Sequence, residues 1–84
     1  MYVKKNTLFF AYYLHMKGLG DNLKLLRKMN NVSQKEFALK LNTTQQRVSE
    51  WECDKVEPSL FNIVKILKFY NITFEELMDG VVTD

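Results

Sequence analysis

Ser33 to Glu52 reads SQKEFALKLNTTQQRVSEWE, and the fold follows from how this stretch is divided. Ser33 and Glu36 have the Ser-x-x-Glu spacing of a capping box, so a helix is expected to start here. Phe37, Ala38 and Leu41 then fall at i, i+1 and i+4, one apolar face of that helix. Asn42 follows, one of the few residues besides glycine that accepts a left-handed backbone. Thr44 can cap a second helix, from Gln45 to about Glu52, that turns Val48 and Trp51 inward. The opposite face of that helix carries Gln45, Gln46, Ser49 and Glu50, all rich in hydrogen-bonding groups.

Outward from this pair, the pattern stays helical. Upstream, Leu19, Leu23, Leu26 and Met29 recur at spacings of four and three, with Lys24, Arg27 and Lys28 on more polar faces. Asn30-Asn31 stops that helix, Asn31 suits its left-handed C′ position, and Val32 can staple the next helix start. Downstream, Cys53 to Pro58 is a short connector in which Asp54 can take the left-handed position. Pro58-Ser59 opens a helix with Leu60, Ile63, Val64, Leu67 and Tyr70 on one face, and Asn71-Ile72 turns it. Thr73 to Glu76 is a second capping box, opening a short helix that Gly80 ends.

Five short helices with brief connections predict an all-α bundle. Its expected core is Leu23, Leu26, Phe37, Ala38, Leu41, Val48, Ile63, Val64, Leu67, Phe74 and Leu77. The small Ala38 suits a close crossing of the two central helices, which together form a helix-turn-helix with a polar outer face. That face could hydrogen-bond base edges.

Residues 1–18 form a hydrophobic extension, residues 19–80 the domain and residues 81–84 a tail. Within the extension, Leu8 to Leu14 is an apolar, aromatic-rich run behind Lys4 and Lys5. It is too short to span a bilayer, and His15-Met16-Lys17 supplies no secretory cleavage site. Strand and helix are both open to it. Left in water its side chains would make an unusually large apolar patch, so it is expected to pack on its own domain or on a second copy.

Composition narrows the functional classes. The 84 residues suit one small domain, and 46% hydrophobic with 26% charged residues argues against disorder. A single cysteine, Cys53, excludes an internal disulfide and fits a reducing cytoplasm. With one histidine and one cysteine no structural zinc site is expected, and no cofactor. Neither a glycine-rich phosphate loop nor a nucleophile–base pair is present, so the chain is not read as an enzyme. The net charge of +2 is uneven: residues 1–58 hold ten Lys/Arg against six Asp/Glu, whereas residues 59–84 hold two against four. The basic part contains the polar helix, as a nucleic-acid binder would prefer.

Residues 19–80 resemble the Cro and phage-repressor type of helix-turn-helix domain, the XRE family. The resemblance is carried by Arg27, Val32-Ser33-Gln34, Ala38, Leu41, Thr44-Gln45-Gln46, Val48, Trp51-Glu52, Pro58, Leu67 and Phe74-Glu75-Glu76-Leu77. It implies a five-helix lambda-repressor-like fold, with Gln45, Gln46, Ser49 and Glu50 reaching base edges in the major groove. It further implies phosphate contacts from Ser33, Gln34, Lys35, Lys40, Thr44, Arg47 and Lys55, and a structural ion pair of Arg27 with Glu52. The chain departs from the family where Asn42 and Asp54 replace glycine, where Thr43 replaces an apolar residue, and where Val56-Glu57 replaces basic residues.

The expected function is therefore sequence-specific binding of double-stranded DNA by a cytoplasmic regulator. It would act as a homodimer on a near-palindromic operator, by default as a repressor that occludes a promoter. Leu8 to Leu14 is a candidate dimer contact. An antitoxin or restriction–modification controller would use the same domain, the former with a protein partner. A different class, an interaction module that has lost DNA, draws on Glu50, Glu57 and the low net charge.

Overall fold

A computed structural model describes residues 18–81. They form helices α1 (Leu19–Met29), α2 (Gln34–Lys40), α3 (Gln45–Glu52), α4 (Leu60–Tyr70) and α5 (Phe74–Leu77), with no strand among the described residues. The all-α, five-helix reading holds. The expected role of Leu8 to Leu14 lies outside the described residues.

Hydroxyl caps open the last four helices. Ser33, Thr44, Ser59 and Thr73 sit in extended backbone, and each side chain accepts the N–H three residues on, at 3.0, 3.1, 3.1 and 3.0 Å. Thr73 N–H also donates to Glu76 Oε1 at 2.9 Å, completing a capping box. At Ser33 the expected box is half made, because no bond returns from the Glu36 carboxylate among the described residues.

The helix ends share one geometry. Asn31, Asn42, Asp54 and Asn71 have φ of 56°, 58°, 59° and 56°, all left-handed. After each, the next N–H reaches back to a carbonyl of the last turn: Val32 to Arg27, Thr43 to Ala38, Lys55 to Glu50 and Ile72 to Leu67. These are Schellman closures built on Asn and Asp. A short polar side chain lowers the steric penalty of that conformation, so glycine is dispensable there.

Asp54 has a second task. Its Oδ1 accepts Gly20 N–H at 2.9 Å, so the turn after α3 caps the start of α1. Gly18 precedes α1 and has no side chain to cap with; Asp21 Oδ2 accepts its N–H at 3.3 Å. Gly20 makes the approach possible, since a Cβ there would lie 2.5 Å from Glu52 O and 2.6 Å from Trp51 O. The first turn of α1 is also tied to α5 and the turn after it: buried Asn22 donates Nδ2 to Leu77 O at 2.6 Å and Asp79 O at 3.0 Å.

The buried core is Leu23, Phe37, Ala38, Leu41, Val48, Trp51, Ile63, Ile66 and Leu77. Leu26 and Leu67 are half-buried against it, as are Phe69 and Tyr70. Val64 and Phe74, expected in the core, are 41% and 53% exposed, while Ile66 is fully buried. Leu60, expected on the inner face, is 74% exposed beside Phe61 at 79%. Helix α4 is apolar over most of its circumference, so spacing alone does not select its inner side. An aromatic cluster selects it: Phe37 lies 5.6 Å from both Phe69 and Tyr70, which meet each other at 4.9 Å.

One polar group sits at the centre of the helical joints. Arg27 Nε and Nη2 donate to Glu52 Oε2 and Oε1 at 2.6 and 3.0 Å, a bidentate pair on buried side chains. Arg27 Nη1 donates to Val32 O at 2.8 Å, and Gln34 Nε2 donates to Glu52 Oε1 at 3.0 Å. Hydrogen bonding to Glu52 raises the Arg27 pKa further, against the opposing effect of burial. Close by, the Tyr70 hydroxyl is enclosed without a hydrogen-bond partner among the described residues. Desolvation pushes this phenol from 10.0 up to about 12, with Glu52 adding to the rise and Arg27 opposing it.

Three outcomes follow for stability, all readable by urea denaturation. Gly20→Ala should destabilise by about 1–3 kcal/mol, because its methyl meets backbone that cannot swing away. Arg27→Met should cost about 3–5 kcal/mol by leaving a buried carboxylate unpaired, and adding Glu52→Leu should recover much of that loss. For Tyr70 the folded pKa lies above the unfolded one, so its contribution is complete below pH 10 and is lost as pH rises toward about 12. Tyr70→Phe should therefore remove that part of the alkaline decline and, lacking a stranded hydroxyl, be about 1 kcal/mol more stable at neutral pH.

Candidate nucleic-acid interface

Helix α3 presents the candidate reading surface. Val48, Trp51 and Glu52 are its buried residues, and they fasten it to the body. Thr44, Gln45, Gln46 and Arg47 are exposed along its first turn, while Ser49 and Glu50 are half-buried one turn later. Thr44 Oγ1 takes Arg47 N–H, so the N–H groups of Gln45 and Gln46 open the helix with no intrahelical acceptor. Two amide side chains and two backbone donors thus share one exposed end.

Glu50, expected to reach a base edge, is already engaged. Glu50 Oε2 lies 3.5 Å from Gln46 Nε2 and Glu50 Oε1 lies 3.8 Å from Arg47 Nε. Exposed pairs of this kind are worth about 0–1 kcal/mol, so Arg47 can exchange Glu50 for a stronger anion at small cost. Glu50 also anchors backbone, since its carbonyl accepts Lys55 N–H at 2.9 Å.

The flanking residues divide into two kinds. Ser33, Lys35, Lys40 and Lys55 are exposed and unencumbered by ion pairs among the described residues. Gln34 is half-buried with its amide nitrogen held by Glu52, so toward an anion it offers its backbone N–H. The Arg27–Glu52 pair lies behind the surface, joining α1 to the last residue of α3 and, through Gln34, to the first of α2. That geometry makes it a support for the face and not a part of it. Cys53 is exposed just past α3.

Sequence reasoning passed over two supporting residues. Lys65 Nζ donates to Leu41 O at 3.1 Å, placing a cation on the carbonyl end of α2 at the central turn. Asp54, a turn residue by its local sequence, also holds the start of α1 with its carboxylate. Neither contact has a local signature, because the partners lie 24 and 34 residues apart. No group of three or more potential metal ligands occurs among the described residues, and no described helix is long and apolar enough to cross a membrane.

Comparison with known proteins agrees with this architecture. The family profile described as Helix-turn-helix matches residues 23–77. An HTH-type transcriptional regulator of Methanocaldococcus jannaschii is 33% identical over 59 residues, covering 70% of this chain and 89% of that protein. The HTH-type transcriptional activator BcrR of Enterococcus faecalis is 32% identical over 61 residues, 73% of this chain; the chain spans only 30% of BcrR's length. Among solved structures, the P22 c2 repressor protein, crystallised in complex with a synthetic operator, superposes with a TM-score of 0.70 at 20% identity. That match covers 76% of this chain and 97% of the repressor chain. The chain belongs to the helix-turn-helix family of transcriptional regulators, of the Cro and phage-repressor type.

Proposed function

We propose that residues 19–80 bind double-stranded DNA sequence-specifically, with the exposed first turn of α3 lying in the major groove. The observation that carries this reading is the pairing of exposed amides at Gln45 and Gln46 with a rigidly held helix behind them. A glutamine amide matches adenine bidentately, offering a donor to N7 and an acceptor to N6. Ser49 reaches either class of base edge, and Glu50, once released by Arg47, accepts from the cytosine amino group. Lys35, Lys40, Arg47 and Lys55, with Ser33, Thr44 and the backbone at Gln34, meet phosphates and set register without reading sequence.

One such helix reads only a few base pairs, and the net charge of +2 supplies little general attraction. A homodimer solves both problems, placing two reading helices about 34 Å apart on a near-palindromic site. Bound this way in the cytoplasm, the protein covers a promoter and represses it by occlusion. The named relatives include an activator and the structural neighbour is a repressor, so the same contact serves either regulatory sign.

The test is selection from a random duplex library with the full chain, followed by Gln45→Ala with Gln46→Ala. Wild type should enrich a palindrome with half-sites one helical turn apart. The double variant should lose about 1–3 kcal/mol of discrimination at each base pair read, yet keep its salt-dependent general binding. An unchanged preference in the double variant would refute the assigned reading face. Failure of the wild type to enrich any sequence would favour an interaction module.

A further inference from the structure

Beside the start of α1, a cavity of about 340 Å³ opens between the first and last parts of the described chain. Its wall includes Gly18, Leu19, Trp51, Val56, Pro58 and Met78, with the acidic Asp54 and Glu57 also lining it. None of the DNA-reading residues line it. We propose that its occupant is the chain's own apolar run, Leu8 to Leu14, packed there in cis.

Reach is the first argument. Gly18 is itself part of the wall, and Leu14 is four residues upstream of it. Four residues span at most about 14 Å fully extended, so the run is tethered at the mouth of the cavity. A short tether gives an effective concentration in the range of ~mM, well above that of a second copy in a dilute solution.

Chemistry is the second. Most of the wall is apolar or aromatic, and a cavity of this size, near the lower end of the roughly 300–1,000 Å³ that bind molecules, suits bulky side chains. Phe9, Phe10, Tyr12 and Tyr13 supply them, the tyrosines with a hydroxyl to leave at the rim. Charge is the third. Residues 1–17 carry Lys4, Lys5 and Lys17 and no carboxylate side chain, a charge complementary to that of Asp54 and Glu57 in the wall. The inference is independent of which duplex α3 reads.

The experiment is nuclear Overhauser spectroscopy on the uniformly labelled full chain, with a mixed sample of labelled and unlabelled protein as its control. Ring protons of Phe9, Phe10, Tyr12 or Tyr13 should show contacts to the Leu19, Val56 and Met78 methyls, unchanged on tenfold dilution. Phe9→Ser with Phe10→Ser should weaken them, while amide dispersion shows that the domain is still folded. A folded wild type without these contacts would overturn the proposal. So would contacts seen only between labelled and unlabelled copies, which would assign the cavity to a second protomer.

Discussion

The carboxylate of Glu52 is the constraint on which the other parts depend. It ends α3, takes the two-pronged guanidinium of Arg27 from α1, and takes the amide of Gln34 from the start of α2. Arg27 uses its remaining nitrogen on Val32, inside the turn between α1 and α2. Three helices and one turn are thereby referred to a single buried group. Apolar residues of equal volume would hold such a joint as well or better in energy terms. What a planar fork adds is direction, because both bonds form at one relative angle of the helices. For a face that must present side chains in a fixed relation to a partner, that angle matters more than the net stability.

A second economy lies in the helix ends. Asn31, Asn42, Asp54 and Asn71 close four helices in the same left-handed way, keeping every connection short. Short connections leave little freedom for the helices to re-orient around the core. Asp54 shows the advantage of a side chain over glycine at such a position. The same residue that turns the chain out of α3 returns a carboxylate to the N–H of Gly20. The close crossing of α1 on α3 is then limited by backbone alone, which is why position 20 carries no side chain. Helix α3 is held at its far end by Glu52 and Asp54 together, and its first turn is left clear.

Surface electrostatics complement this arrangement. The cations near the proposed reading face are separate and exposed, and the weak pair there, Arg47 with Glu50, is easily rearranged. Strong, satisfied polar contacts lie behind the face and weak ones lie on it. On the proposed function, binding then exchanges weak surface contacts for phosphate and base contacts without disturbing the joints. The apolar cavity at the opposite end of α3 is spatially and chemically distinct from that face.

Much of the architecture was legible in the residues themselves. Capping hydroxyls at Ser33, Thr44, Ser59 and Thr73 and left-handed turns at Asn31, Asn42 and Asp54 are local events, decided by a few neighbouring dihedrals. Helix number, helix order and the exposed amides of α3 follow from them. The rotation of α4 was not legible, because its apolar residues surround it and any of several faces would satisfy the pattern. Only the packing of Phe69 and Tyr70 against Phe37 turned Ile66 inward and left Val64 outside. The links from Lys65 to Leu41, Asn22 to Leu77 and Asp54 to Gly20 were equally hidden, since each joins residues far apart in the chain. Sequence determined which segments become helices and which side chains can carry chemistry, as these depend on local geometry. Tertiary structure decided which face of each helix is buried and which polar groups are already taken, as these depend on what the rest of the chain brings within a few ångströms.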